Sequence, residues 1–296
     1  MQNPIFRGVA TALITPFTPN SMEIDYSAFG KIIDWQIEQG VDALIVAGTT
    51  GESSTLTDQE HRDLITYAID KVGGRVPVIA GVGSNDTAYA VCLSKFACQQ
   101  GADALLVVTP YYNKATQKGL VQMFTAIADA VTCPVMLYNV PSRTGVNIAP
   151  STYATLAGHP GIVATKEANG DISSIVHTSA LTHGKLDIYS GNDDQVIPVL
   201  AMGGAGVVSV LSNIAPRLVG DMCRAWFAGD IHKAAEIQRT LQPLSDALFC
   251  EVNPIPVKAA MAILGHCENS LRLPLSPMEE DNMAKLKEEM VKVGLL

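Results

Sequence analysis

Short apolar runs alternate with amphipathic segments along most of this chain. Eight runs rich in Val, Ile, Leu and Ala have the length of β-strands, near residues 8–15, 43–47, 77–81, 103–108, 134–138, 161–165, 187–190 and 206–210. The segments between them carry helix signals: Asp25 can cap a helix that ends at Gly40, and Thr57–Glu60 has the pattern of a capping box. Strands that are apolar throughout indicate a parallel sheet covered by helices on both faces.

An internal repeat narrows the architecture. The sequence QGVDALIV at residues 39–46 returns as QGADALLV at residues 100–107, a spacing of about two strand-helix units. Eight such units predict an α/β fold of the (βα)8 TIM-barrel type. An open doubly wound sheet is the alternative, but the chain shows neither G-x-G-x-x-G nor a P-loop, the nucleotide-binding motifs that commonly accompany that fold.

From about residue 227 onward the pattern changes to helices alone. Asn253–Pro254 and Ser276–Glu279 are predicted helix starts, the second as a capping box with proline at the first helical position. We therefore expect a barrel domain over residues 1–226 and a C-terminal helical region over residues 227–296. Such additions often form oligomer contacts, which the sequence leaves open.

Composition and charge exclude several classes of protein. The 296 residues are 48% hydrophobic and 17% charged, as in globular proteins. A net charge of −9 without a basic cluster argues against nucleic-acid binding. No apolar run reaches the roughly 18 residues of a membrane span, and the start of the chain lacks the pattern of a signal peptide. We expect a cytoplasmic protein that does not enter membranes.

The cysteines give no sign of a disulfide or metal framework. None form a C-x-x-C pair, and most lie inside apolar segments. They are predicted to be free, buried thiols in a reducing compartment: Cys92, Cys98, Cys133, Cys223, Cys250 and Cys267.

Polar side chains gather where the predicted strands end, and that end of a (βα)8 barrel carries the active site. The second strand ends in Gly48–Ser53, the fifth in Tyr138–Gly145 and the sixth in Lys166–Glu167. These ends supply hydroxyls, a lysine and an arginine, but no histidine and no cluster of metal ligands. We expect neither a metal nor a cofactor.

Lys166 has two interpretations. A lysine at a strand end can extend its ammonium group to water or pair with a carboxylate. Alternatively, an apolar pocket disfavours the charged form of the amine, so that the neutral nitrogen can attack a carbonyl carbon and form a Schiff base. The hydroxyls at the neighbouring strand ends favour the second interpretation.

Four further residues extend this hypothesis, although each has an ordinary structural explanation. Tyr138 could move protons at the lysine adduct, or it could be a core tyrosine. Thr49 and Thr50 could donate to a small anion, or they could form a capped turn. Arg143 could bind a carboxylate with its planar guanidinium, or it could be a surface arginine. Together they predict a site for a small keto acid.

Five spaced motifs carry a resemblance to a known family. They occur in order: Gly48–Ser53, Thr109–Asn113, Tyr138–Gly145, Lys166–Ala168 and Asn253–Lys258. This set resembles the dihydrodipicolinate synthase family, part of the pyruvate-dependent class I aldolases that also include N-acetylneuraminate lyase. The resemblance runs from about Gly8 to the C-terminus. It implies a homotetramer that condenses pyruvate with L-aspartate 4-semialdehyde on the diaminopimelate route to lysine.

The resemblance also implies roles for particular residues. Lys166 would form the Schiff base, and a proton relay would comprise Tyr138, Thr49 and Tyr112, the last reaching in from a neighbouring subunit. The remaining substrate contacts would be Thr50 and the backbone near Val208 for the pyruvate carboxylate, Arg143 for the carboxylate of the aldehyde, and Gly191 close to both substrates.

An effector pocket is the point where this chain departs from the family. In lysine-inhibited members the pocket contains a histidine and a glutamate at positions that match Asp58 and Tyr89 here. The pocket positions in this chain are Ser54, Asp58, His61, Asn85, Tyr89 and Tyr111. A missing carboxylate removes a partner for the ammonium group of lysine. We expect weak or absent feedback inhibition.

Two other functions stay open at this stage. N-acetylneuraminate lyase shares the lysine and the tyrosine, although the Thr49–Thr50 pair and Arg143 fit the synthase motifs better. A non-catalytic barrel that binds a keto acid as a sensor would be marked by loss of Lys166 or Tyr138, and both are present.

Overall fold

Eight parallel strands close into a barrel in chain order, with the last strand paired to the first. This arrangement is seen in a computed structural model that describes residues 4–296. The strands are β1 (Gly8–Ala12), β2 (Ala43–Val46), β3 (Val78–Gly81), β4 (Ala104–Val108), β5 (Val135–Asn139), β6 (Ile162–Glu167), β7 (Asp187–Ser190) and β8 (Gly206–Ser209). The closed barrel confirms the predicted fold class and rules out the open sheet.

Helices surround the barrel and extend the chain beyond it. Those between or after the strands are α1 (Tyr26–Glu38), α2 (Asp58–Val72), α3 (Thr87–Gln100), α4 (Gln117–Asp129), α5 (Pro141–Thr144), α6 (Pro150–Leu156), α7 (Ile172–Thr182), α8 (Val196–Ala201) and α9 (Pro216–Phe227). Three more follow: α10 (Ile231–Leu248), α11 (Ile255–Ile263) and α12 (Glu280–Lys292). Over residues 4–296, no helix combines the length and the apolar character needed to cross a membrane.

Apolar side chains form two layers, one inside the barrel and one between the strands and the helices. Because side chains alternate along a strand, each strand contributes to both layers. The inner layer contains many small residues: Ala10, Ala12, Ala43, Ala104 and Ala164. Small side chains leave room inside the barrel for the longer groups that point inward at its end.

The internal repeat has a structural cause. Asp42 accepts a hydrogen bond from the backbone N–H of Val9 at 2.8 Å, and Asp103 accepts one from Val78 at 2.8 Å. Each aspartate therefore satisfies a donor near the start of the strand that precedes its own. The repeated sequence therefore makes the same hydrogen bond before β2 and before β4.

Three of the four predicted helix starts are confirmed, including that at Asn253–Pro254, directly before α11, and one is wrong. The Asp25 carboxylate caps α1, and Thr57 and Glu60 form the reciprocal capping box of α2. The predicted start at Ser276 is displaced, because α12 begins at Glu280. There the carboxylate of Glu251, brought in from elsewhere in the chain, accepts the N–H of Glu279, the residue before α12, at 3.0 Å.

The expectation of free, buried thiols was wrong for some of the cysteines and right for others. Cys98 in α3 and Cys133 before β5 form a disulfide, with Cα atoms 5.8 Å apart. The other four are free as predicted: Cys223 is buried, Cys267 is partly buried, and Cys92 and Cys250 are exposed. Cys98 and Cys133 are 35 residues apart in sequence, so their proximity arises only when α3 packs beside the start of β5.

Candidate active site

Lys166 and Tyr138 face each other inside the barrel. They are register partners on β6 and β5, and the Lys166 Nζ lies 4.3 Å from the centre of the Tyr138 ring. Lys166 is only 5% exposed, and Tyr138 is also buried. The predicted sixth strand stopped before Lys166, but β6 continues through Glu167. The lysine is thus held by strand pairing on both sides rather than by a loop.

Gly191 provides the space that the lysine side chain needs. A Cβ atom at this position would lie 3.1 Å from Cγ of Lys166 and 3.0 Å from the carbonyl oxygen of Glu167. The Gly191 N–H donates to that same carbonyl at 2.7 Å. A larger residue would lie only 2.8 Å from Cβ of Ala168 and would also press on Lys166, so glycine is the residue this close approach requires.

The Thr49–Glu52 turn lies at the end of β2, close to Tyr138. Thr49 and Tyr138 line one small cavity of about 40 Å³. The hydroxyl of Thr15 donates to the Gly51 carbonyl at 2.7 Å and ties the turn to the end of β1. Thr50 is buried, and its hydroxyl oxygen accepts a hydrogen bond from Asn253 Nδ2 at 3.1 Å.

Arg143 lies in the short helix α5 at the rim of the barrel. Its guanidinium donates to the backbone carbonyl of Asn253 at 2.9 Å. Together with Thr49 it lines a cavity of about 450 Å³, large enough for a small organic acid. The turn predicted for this segment is a single helical turn that Gly145 ends with positive φ.

Val208 and Tyr112 differ in how they relate to this group. Val208 is buried inside the barrel on β8, in the same inner layer as Tyr138. Tyr112, in contrast, is 93% exposed in the loop after β4 and has a φ of 68°. Within this chain the structure does not bring Tyr112 to Thr49 and Tyr138.

The predicted effector pocket overlaps the cavity that Arg143 lines. Its wall includes Ser54, His61, Tyr89 and Tyr111. His61 contacts the Gly81 carbonyl at 2.7 Å, and burial lowers its pKa, which favours the neutral ring. Two predicted positions remain. The backbone carbonyl of Asn85 accepts a hydrogen bond from Asn113. The Asp58 carboxylate binds other side chains of the same surface.

Asp58 and Tyr89 bind each other. The Tyr89 hydroxyl donates to the Asp58 carboxylate at 2.8 Å, and Arg62 donates to the same carboxylate at 2.8 Å. Arg62 and Tyr89 together lower the pKa of Asp58. Burial and the adjacent carboxylate raise the pKa of Tyr89 to about 12. The negative charge here is therefore already paired with an arginine.

A polar cluster behind Lys166 was missed by sequence reasoning. Glu167 points to the outside of the barrel, where its carboxylate accepts hydrogen bonds from Tyr153 at 2.7 Å and from Asn139 Nδ2 at 2.9 Å. Burial raises the pKa of Glu167 to about 7, against the opposing effect of these donors. The cluster ties β6 to β5 and to α6 next to the lysine. Glu167 was visible in the sequence, but its partners lie far along the chain.

Asp193 is a second buried carboxylate near the lysine. Its Oδ2 accepts the backbone N–H groups of Val210 and Leu211, each at 2.9 Å, and thereby holds the end of β8. Burial raises the pKa of Asp193, while the positive charge of Lys166 acts in the opposite direction. No sequence motif indicated this role.

The site can perform chemistry on a carbonyl compound. A buried primary amine lies beside the phenol of Tyr138. Tyr138 shares a small cavity with Thr49, and Thr49 also lines the larger cavity together with Arg143. An amine and neighbouring hydroxyls are the groups that imine formation and proton transfer need. Residues 4–296 contain no group of three or more His, Cys, Asp or Glu side chains arranged to hold a metal ion.

These features define a class, the (βα)8 enzymes with a Schiff-base lysine, and comparison with known proteins narrows it. The model of the dihydrodipicolinate synthetase family matches residues 5–293, and the chain belongs to this family. It is therefore an enzyme, a lyase of the class I aldolase type.

Individual relatives agree over the whole length. A 4-hydroxy-tetrahydrodipicolinate synthase of Lachnoclostridium phytofermentans is 53% identical over 99% of both chains. The structure of dihydrodipicolinate synthase from Thermotoga maritima superposes with a TM-score of 0.96 at 44% identity, covering 99% of this chain and 100% of that one. The chloride-inhibited dihydrodipicolinate synthase from Acinetobacter baumannii, complexed with pyruvate, gives 0.96 at 40% identity over 98% and 99%.

Proposed function

We propose that this chain condenses pyruvate with L-aspartate 4-semialdehyde, as a 4-hydroxy-tetrahydrodipicolinate synthase in the diaminopimelate route to lysine. The observation that carries the proposal is the Lys166–Tyr138 pair inside the barrel, whose tyrosine shares a small cavity with Thr49. Full-length relatives of the same family bear the synthase name, and one related structure holds pyruvate.

The reaction begins at Lys166. Its neutral nitrogen attacks the carbonyl carbon of pyruvate, and loss of water gives an imine. Loss of a proton from the methyl group then gives an enamine, whose carbon attacks the aldehyde carbon of the second substrate. Tyr138 and Thr49, which share a cavity wall, carry protons to and from the adduct.

Different residues bind the two carboxylates of the substrates. Thr50 and the backbone near Val208 hold the carboxylate of pyruvate, and Gly191 leaves space beside the imine. Arg143 binds the carboxylate of the semialdehyde with its guanidinium. The amino group of the second substrate can displace Lys166 and release the product.

Arg143 separates the two half-reactions in this scheme. We expect Arg143→Ala to lower the rate of condensation by about tenfold to a hundredfold and to leave imine formation with pyruvate nearly unchanged. Borohydride trapping of the imine and the full condensation assay measure the two steps separately. An equal loss in both would contradict the role of Arg143.

The active enzyme is proposed to be a homotetramer in the cytoplasm, with Tyr112 completing the proton relay of a neighbouring subunit. The exposure of Tyr112 supports this, because an aromatic side chain that is 93% exposed can reach another chain. Mixing Lys166→Ala and Tyr112→Phe proteins tests it: activity should return in mixed oligomers. No return after verified subunit exchange would argue against shared sites.

The division at residues 226 and 227 remains our proposal for the domain boundary.

The deciding experiment compares aldehyde substrates. Pyruvate consumption is measured with L-aspartate 4-semialdehyde and, in parallel, with N-acetylmannosamine at equal concentration. Rapid loss with the semialdehyde alone supports the proposal. Loss with the amino sugar alone would make the chain a lyase of the N-acetylneuraminate type, and no loss with either would favour a keto-acid sensor.

A further inference from the structure

We propose that Asn253 is a positioning residue that orients the Thr50 hydroxyl as a hydrogen-bond donor toward the pyruvate carboxylate, an inference that rests on the proposed function. Asn253 lies between α10 and α11, outside the barrel strands. It is buried, and its Nδ2 donates to Thr50 Oγ1 at 3.1 Å. Sequence reasoning treated Asn253 only as part of a helix start.

The direction of this hydrogen bond decides what Thr50 can do. A threonine hydroxyl has one proton to donate and two lone pairs that accept. Because Asn253 Nδ2 supplies a proton to the oxygen, the hydroxyl proton of Thr50 must point elsewhere. A carboxylate accepts but never donates when ionised, so an oriented donor is what binding of pyruvate requires.

Asn253 also contacts the second carboxylate site. Its backbone carbonyl accepts the hydrogen bond from Arg143 at 2.9 Å. One residue of the C-terminal region thus touches both Thr50 and Arg143. Among residues 4–296, Oδ1 of Asn253 has no hydrogen-bond partner, so the contact of Nδ2 with Thr50 is the one hydrogen bond that the side chain of Asn253 makes there.

The turn that carries Thr50 is fixed from the same region. Glu52 has a φ of 53°, in the left-handed region that side chains other than glycine rarely adopt. Its carboxylate is paired with Lys258 of α11 and accepts the backbone N–H of Arg272 at 3.1 Å. The C-terminal region therefore sets both the backbone of the Thr49–Glu52 turn and the direction of the Thr50 hydroxyl.

Two substitutions of the same residue test the proposal. Asn253→Asp is nearly isosteric but can only accept from Thr50, so it would capture the hydroxyl proton. Asn253→Ala removes the contact and leaves that proton free. We expect the pyruvate KM to rise about tenfold or more for Asp and only about threefold for Ala, with kcat changed less than KM. A residue with a purely packing role would give the opposite order, because Ala leaves a cavity.

Repeating both changes in a Thr50→Val background shows whether the effect passes through the hydroxyl. In the Thr50→Val background, the difference in pyruvate KM between Asn253→Asp and Asn253→Ala should nearly vanish. In a Thr50→Ser background, the difference should remain. A gap that persists without the hydroxyl, or an Ala variant worse than Asp, would overturn the proposal. If Asn253→Asp does not fold, the double variant of Asn253→Ala and Thr50→Val provides the test. The proposal expects its effect on the pyruvate KM to be smaller than the two single effects combined, and additive effects would overturn the proposal.

Controls separate this inference from the proposed function. Asn20 is exposed, so Asn20→Asp and Asn20→Ala make the same chemical changes away from the site and should leave the pyruvate KM unaltered. Borohydride trapping of wild-type protein with pyruvate is done first. Absence of an imine would refute the proposed function itself, whereas a trapped imine with the wrong ranking of variants would refute only the role of Asn253.

Discussion

Two buried lysines of this chain have opposite surroundings. Lys258 is fully buried, pairs with Glu52, donates to the Ser270 carbonyl at 2.7 Å and lies 4.0 Å from the centre of the Phe17 ring. Lys166 faces Tyr138, and over residues 4–296 no carboxylate lies within salt-bridge distance of its nitrogen. A paired ammonium group holds structure together, whereas an unpaired amine is free to react.

The pairing is also the reason why we expect Lys166, and not Lys258, to be the nucleophile. Burial lowers its pKa, but Glu52 acts in the opposite direction and favours the charged form. A protonated nitrogen that already donates to two oxygens has no lone pair for a carbonyl carbon. Depth of burial alone therefore does not identify a reactive lysine, since its hydrogen-bond partners decide.

Methionine in place of Lys166 should produce the largest effect. Lys166→Met is expected to lower the condensation rate by at least about a thousandfold, because no amine remains to form the imine. The fold should persist, because methionine suits a buried position. The assay is condensation together with borohydride trapping, and the exposed Lys185→Met serves as the matched control. Condensation activity that survives in Lys166→Met would show that Lys166 is not the reacting amine.

The same replacement at Lys258 should act on stability. Lys258→Met leaves the Glu52 carboxylate buried without its cation, and we expect a loss of about 3–5 kcal/mol in the free energy of unfolding. Denaturant unfolding measures this. Adding Glu52→Gln should recover part of the loss, because no charge then stays buried. A single variant as stable as the wild type would show that the ion pair is not what holds α11 to the Thr49–Glu52 turn.

Glu167 offers a buried carboxylate without a cation, in contrast to Glu52. Its pKa in the folded protein is about 7, above the usual 4.5, so between these values the folded state keeps a proton that the unfolded chain has lost. Its contribution to stability is complete below about pH 4.5 and declines by about 3 kcal/mol as the pH rises to about 7. The free energy of unfolding of Glu167→Gln should lack this decline with pH. The substitution can also change stability by an amount that is the same at every pH.

Unfolding curves of both proteins from pH 4.5 to 8 test that prediction, because other groups contribute equally and cancel in the difference. Parallel pH profiles for wild type and Glu167→Gln would contradict the assignment.

The smallest effect concerns feedback by lysine. The Asp58 carboxylate is already bound by Arg62 and Tyr89, so it offers little to the ammonium group of an effector. We expect L-lysine to inhibit the enzyme weakly or not at all, and an inhibition constant in the sub-millimolar range would refute this. Combining Asp58→His with Tyr89→Glu should increase sensitivity, measured as condensation rate against lysine concentration.

The sequence by itself determined the barrel and placed Lys166 and Tyr138 at the ends of neighbouring strands. Eight apolar runs and a repeat were enough for the fold, because hydrophobic periodicity and strand length are local properties. Lys166 and Tyr138 were identifiable because each follows or ends a predicted strand, and a (βα)8 barrel brings strand ends together. Those inferences needed only the chain order of the elements.

Only the tertiary structure decided which groups are paired. The contacts of Lys258 with Glu52, of Asn253 with Thr50 and of Cys98 with Cys133 join residues that are 206, 203 and 35 positions apart. The misplaced start of α12 has the same origin, since Glu251 binds the N–H of Glu279 from outside the local sequence. Hydrogen bonds and ion pairs act over a few ångströms in space, so a pattern along the chain carries no record of them.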